Sequence, residues 1–182
     1  MADVWFTVAR GAELAQGDIL LGCPVLTPYT SLDLTAMEAA ANGTSTMAAS
    51  VPAARWDLVI LTHSCDLVAS QKPAEIVLCC PVYQRSSLLK EHPLSSNSRF
   101  DEARKGRIPN VCVLDKCEIA GHERGVSIAF FNQLITLPYA YLTEFADKQG
   151  ARLRLQSPYK EHLSQAFGRL FMRVALPKDV DR

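Results

Sequence analysis

No stretch of this 182-residue chain reaches the ~18 consecutive apolar residues of a membrane span, so no membrane partner is expected. An excess of charge of one sign is equally missing. Lys plus Arg number 19 and Asp plus Glu number 19, which leaves no global field to draw the chain to nucleic acid or to an acidic lipid surface. The six cysteines include no C-x₂-C pair, which removes the usual zinc-knuckle spacing. Internal repeats and low-complexity tracts are also lacking, which argues against a solenoid. The opening MADVWFTVARGAELAQGD shows no basic segment leading into an apolar one. Cys23, Cys65, Cys79, Cys80, Cys112 and Cys117 are therefore expected to be reduced thiols of a cytoplasmic protein rather than a disulfide framework.

What is present is ordinary globular composition, 48% apolar and 21% charged, in a length that suits one domain over 1–182. The neutral total hides a gradient. Residues 1–80 hold three basic and eight acidic side chains, residues 81–147 eight of each, and residues 148–182 eight basic and three acidic. Such asymmetry is either a partner signal or the solvated face of a helix.

Short β-branched and apolar runs dominate the pattern. Ile19 to Leu26 reads as a first strand that Pro24 places at an edge or bulge. Residues 27–54, rich in Ala, Thr, Ser and Met, read as a long insertion with a short helix around Met37 to Ala41. Trp56 to Thr62 and Glu75 to Val82 are almost continuously apolar, as strands buried on both faces are. Residues 83–107 form a polar excursion, followed by strands at 110–114 and 126–131. Pro138 opens a short helix that ends at Gly150, and Arg152-Leu153-Arg154-Leu155 alternates as a half-exposed strand. Ser157 as N-cap and Pro158 in the first turn begin a C-terminal amphipathic helix over 157–176. Its apolar stripe is Leu163, Phe167, Leu170, Phe171 and Val174, and Pro177 ends it.

Taken in order, several of these segments resemble the PemK/MazF family of toxin-type proteins. They are Gly17-Asp18-Ile19-Leu20, Arg55 followed by Asp57 to Thr62, Cys80-Pro81-Val82, and Ser127 to Leu137 followed by Tyr141-Leu142. The resemblance implies an α+β, mainly β fold: a small SH3-like, PemK-like β-barrel over 10–156, carrying the 27–54 insertion and the 83–107 excursion, with the helix outside it. It also implies an RNA or cognate-protein partner, a toxin–antitoxin or defence-type setting, and, by analogy, a homodimer. Family members that cut RNA use a loop arginine and a strand-end threonine. Arg55 matches the arginine, whereas the threonine position falls at Tyr83 and a basic position after the glutamine falls at Ile135. A pentacovalent phosphate needs aligned donors, and Ile135 supplies none. The expectation is a binding module, with an endoribonuclease centred on Arg55 as the alternative.

The residues suggest two further chemistries. Thr62-His63-Ser64-Cys65-Asp66 is the densest reactive cluster. In an extended chain His63 and Cys65 share a face and Asp66 takes the other, so a thiolate with a lowered pKa and a histidine base is one reading. Zinc is the only cofactor the donor types suggest, with His63, Cys65, Cys80 and Cys112 as ligands. For nucleic acid, Arg55, Arg104, Lys105 and Arg107 are the phosphate candidates, with Phe100 or Tyr83 stacking on a base.

Overall fold

A computed structural model describes residues 4–26, 38–39, 41–43 and 52–172. Most of the expected 27–54 insertion, together with Val174 and Pro177, lies outside the described residues. The elements run β1 (Phe6–Ala9), β2 (Ile19–Leu26), β3 (Ala53–Ile60), β4 (Ile76–Gln84), α1 (Asn97–Arg104), β5 (Val111–Leu114), β6 (Ser127–Phe130), β7 (Ile135–Pro138), α2 (Tyr139–Gln149), β8 (Arg152–Leu155) and α3 (Tyr159–Phe171). This is an α+β protein.

Among the described residues every strand pairing is antiparallel. Six strands form one sheet in the order β2-β3-β4-β6-β5, with β7 also on β4, while β1 and β8 make a separate ribbon. The expected closed barrel is not formed: among the described residues the path ends at β2 and β5. β4 is the hub. Ile76 to Cys79 pair with β7, Cys79 to Pro81 with β3, and Val82 to Gln84 with β6. Pro81 has no amide hydrogen to give a ladder, and it stands where β4 changes partner.

The continuous apolar runs of β3 and β4 arise because both faces of the sheet are covered. Cys79 and Cys80 point to opposite faces, into different clusters. Cys80 lies with Val59, Val82, Phe131 and Leu163 of α3; Cys79 lies with Leu58, Ile60 and Leu142 and Ala146 of α2. A third cluster joins Phe100 and Ala103 of α1 to Ile128 and Phe130 of β6. Each helix therefore covers one apolar cluster. β3 is buried only over Leu58 to Ile60; its first half, with Arg55, faces solvent, which narrows the expected two-face burial.

The ribbon is fastened to the sheet by a buried charge. Asp18 is 0% exposed and accepts from Arg152 Nε at 2.7 Å, from Arg154 Nη2 at 3.0 Å and from Arg154 Nε. Arg152, 1% exposed, gives its remaining donors to the carbonyls of Gly11 (2.7 Å) and Glu13. The alternation of β8 predicts an outward Arg152; Asp18 turns it inward. Beside Asp18, Gly17 has φ +83°, and a Cβ there would lie 2.8 Å from Leu155 Cβ, so only glycine fits the joint.

The C-terminal helix starts at Tyr159 with Pro158 at its N-cap, one residue later than the expected Ser157. Ser157 gives its hydroxyl to Glu161 at 2.7 Å instead of capping a backbone amide. Leu163 is fully buried and Phe167 meets Phe131 edge-on at 5.5 Å, but Phe171 is 66% exposed, so the stripe stops short of the expected length.

Removing one partner of a buried ion pair strands the other. Asp18→Asn is expected to lower stability by about 3–5 kcal/mol in denaturant unfolding. Glu144→Gln, which breaks the exposed Glu144–Lys148 pair, should cost less than about 1 kcal/mol in the same assay.

Candidate functional site

After Gln84 the chain leaves the sheet through two short turns, Arg85–Ser87 and Pro93–Ser95, before entering α1. Pro93 suits the start of a turn, and His92 caps it by accepting the Leu94 N–H at 3.2 Å on Nδ1. Ser96 Oγ accepts the Arg99 N–H at 3.3 Å and caps α1. Arg85 fastens turn to helix: its guanidinium lies 4.0 Å over the Phe100 ring and donates to Asn97 Oδ1 at 2.7 Å.

Between this excursion and β5–β6 opens a cleft of about 710 Å³, within the usual ligand-cleft range of roughly 300–1,000 Å³. Leu88, Leu94, Ile108 and Phe130 give it apolar walls, and Tyr83, His92, Arg99, Asn132 and Gln133 bring polar groups to it. The aromatic rings are locked together. Tyr83 and His92 each meet Phe130 edge-on at 5.6 Å. Tyr83 Oη donates to Gln133 Oε1 at 3.3 Å, and burial pushes the hydroxyl's pKa up, which keeps it a neutral donor. Because His92 Nδ1 accepts a backbone N–H, its ring proton sits on Nε2.

Of the residues expected to meet phosphates, Arg55, Arg104, Lys105 and Arg107, none lines this cleft. Arg99 is in its wall, Arg107 adjoins Ile108, and Arg104 and Lys105 end the same helix. Arg99 pairs with Glu102 at 2.6 Å and Arg104 with Asp101 at 3.7 Å, whereas Lys105 and Arg107 have no ion-pair partner among the described residues. Phe100, expected to stack on a base, is instead buried under Arg85.

Arg55 and Tyr83 are not brought into contact. Arg55 donates to the Gly22 carbonyl at 3.0 Å. Its charge acts on the Cys23 thiol and the Tyr141 hydroxyl, both of which burial pushes up in pKa. Tyr83 has Gln133 and Phe130 as partners.

The chain does not stay extended through Thr62 to Asp66. It turns into a 3₁₀ helix over Ser64–Leu67 with His63 as its cap. His63 Nδ1 comes to 3.0 Å from Cys65 Sγ, and Asp66 Oδ1, expected on the other face, lies 3.5 Å from the same sulfur. The thiol is not activated as expected: desolvation, and then the hydrogen bond to Asp66, raise its pKa. Cys80 and Cys112 belong to the α3-covered core, where burial pushes the Cys80 thiol up and Cys112 up to about 12. His63, Cys65, Cys80 and Cys112 are thus divided between an exposed turn and the interior. Among the described residues no three His, Cys, Asp or Glu side chains converge as a metal site.

Sequence reasoning does not reach His92, Phe130 and Asn132 as site residues. The only local signal is His92-Pro93 before a serine-capped helix, which marks a turn and not a cleft. Elemental analysis of metal-defined protein should find no stoichiometric zinc, and a chelator should leave the unfolding midpoint unmoved. One equivalent lost on Cys65→Ser would overturn this assignment. In comparison with known proteins, no family model and no curated protein matches this chain.

Proposed function

We propose that this chain is a binding module for single-stranded RNA, with an opened, PemK/MazF-like version of the SH3-like barrel as its frame. The observation that carries the reading is the cleft, where the locked aromatic group of Tyr83, His92 and Phe130 stands among Asn132, Gln133 and Arg99. Unstacked bases are held by aromatic stacking and by hydrogen bonds to their edges, and phosphates by nearby cations. Lys105 and Arg107, both exposed, stand at the end of the helix that walls the cleft. The resemblance adds support, since Tyr83 occupies the position where cutting members carry threonine.

Binding is favoured over cleavage because the donors that phosphoryl chemistry requires are dispersed. Arg55 is engaged with the Gly22 carbonyl and has none of Tyr83's partners, so the two provide no common cradle for a pentacovalent phosphate. A homodimer enters this reading through the resemblance alone.

Fluorescence anisotropy with an unstructured labelled RNA tests the proposal. Tyr83→Ala should weaken binding by about 1–3 kcal/mol. The double variant Lys105→Ala/Arg107→Ala should reduce the salt slope by about 1.4, at roughly 0.7 per phosphate contact. Arg55→Ala should leave binding unchanged, and no cut products should appear on a gel. Absence of binding at low salt would reject the module, and cleavage abolished by Arg55→Ala would replace it with an endoribonuclease.

A further inference from the structure

Three cations without a carboxylate partner among the described residues meet where α1 ends: Lys105, Arg107 and Arg169. Within the helix, Arg99 and Arg104 are offset by Glu102 and Asp101. Lys105 and Arg107 follow it and are exposed. Arg169 comes from α3, is exposed as well, and belongs to a helix with no acidic residue after Glu161. A Cβ built on Gly106, between Lys105 and Arg107, would stand 3.4 Å from Arg169 Nη1. Two helices far apart in the chain thus bring their unpaired charges to one spot.

The backbone fixes that spot. Gly106 takes φ +68°. Its N–H bonds to the Ala103 carbonyl at 2.9 Å and the Arg107 N–H to the Glu102 carbonyl at 3.0 Å, the paired bonds of a glycine-terminated helix. Lys105 and Arg107 therefore leave a defined turn rather than a loose loop. On the other side, Phe167 and Leu170 pack α3 against the cluster that holds Leu114 and Ala129. Arg169 Nε donates to the Gln165 carbonyl at 3.3 Å, and its Nη groups have no acceptor among the described residues. The partial charge at the end of α1, roughly half an elementary unit, offsets only a share of three full ones. A local positive potential remains on a chain of zero net charge.

We infer that Lys105, Arg107 and Arg169 form a phosphate-binding track outside the cleft, which holds the backbone of a single-stranded RNA as it leaves the cleft past Ile108. The inference rests on the reading of the cleft as a site for RNA bases. No member of the track lines the cleft, but Ile108, which does, directly follows Arg107. A strand whose bases sit by Tyr83 and Phe130 meets Arg107 first on this route, and Lys105 and Arg169 beyond it. Stacking in the cleft and charge on the track act on different parts of one strand, so a short RNA feels the first and a longer one both.

Fluorescence anisotropy across a salt series tests the track with labelled, unstructured RNAs of about four and about 16 nucleotides, the ends of the usual site-size range. Arg169→Gln should reduce the salt slope for the longer RNA by about 0.7, one phosphate contact, and leave the shorter RNA unaffected. Arg169→Lys keeps the charge and should keep the slope. Tyr83→Ala should weaken both RNAs. Lys72→Gln, which removes an exposed cation in the loop before β4, should alter neither. A slope unmoved by Arg169→Gln, while Tyr83→Ala still weakens binding, would overturn the track and leave the cleft reading standing. An equal fall in Lys72→Gln would also overturn it, since the effect would then be one of net charge. Wild-type protein that binds neither RNA would reject the cleft reading and this inference together.

Discussion

A carboxylate with no exposed surface, Asp18, is the constraint on which the remaining packing rests. An ion of this kind is tolerated in an interior only when its charge is compensated and its lone pairs are occupied. Two arginines of a single strand meet both conditions, and their spare donors in turn satisfy the Gly11 and Glu13 carbonyls of the segment that leads to Asp18. The backbone joins in: the Ile60 N–H bonds to the Asp18 carbonyl and the Leu155 N–H to the Gly17 carbonyl. Three chain segments meet at two residues. Docking of the β1–β8 ribbon at this joint delivers Phe6, Leu153 and Leu155 to the cluster beneath α3, so a polar contact sets the position of apolar ones.

The cleft depends on a second constraint, the course of β4. Up to Pro81 the strand is held between β3 and β7, and beyond it the pairing passes to β6. Only after that change does Tyr83 emerge beside Phe130, at the edge from which the excursion to α1 departs. A second ion pair steadies this region. Arg124, 8% exposed, reaches Asp57 at 2.8 Å and the Val82 carbonyl at 3.3 Å, tying β3 to the far half of β4 where their own pairing has ended. Rigid support behind a cleft with polar groups at its mouth is how a binding surface gains specificity without reorganising.

Legibility from sequence divides along sequence distance. The strands at Ile19–Leu26 and Ile76–Gln84, and the helix between Pro138 and Gly150, announce themselves through local composition and punctuation. β1 and β7 escape such reading: one finds its partner only in β8, and the other runs straight into α2. Arg152 reads as outward because alternation knows the period of a strand but not what waits on its inner side. Likewise His63, Cys65 and Asp66 stand out as a cluster, but their mutual placement depends on a turn that His63 itself caps. The cleft is least legible, since its walls come from residues 83–133 and no local pattern joins Tyr83 to Gln133. The basic group Arg104, Lys105 and Arg107, at and just beyond the end of α1, is visible in sequence.

The Asp18 joint also bears on how the chain comes into being. Arg152 lies 134 positions beyond Asp18. At about 5–20 residues per second a ribosome needs roughly 7–27 s to travel that distance. Throughout that interval the carboxylate has neither guanidinium, and its burial is unfavourable. Until β8 is present, burial of Asp18 would leave its charge without either arginine. The charge pair thus ties the closing of this joint to the arrival of β8.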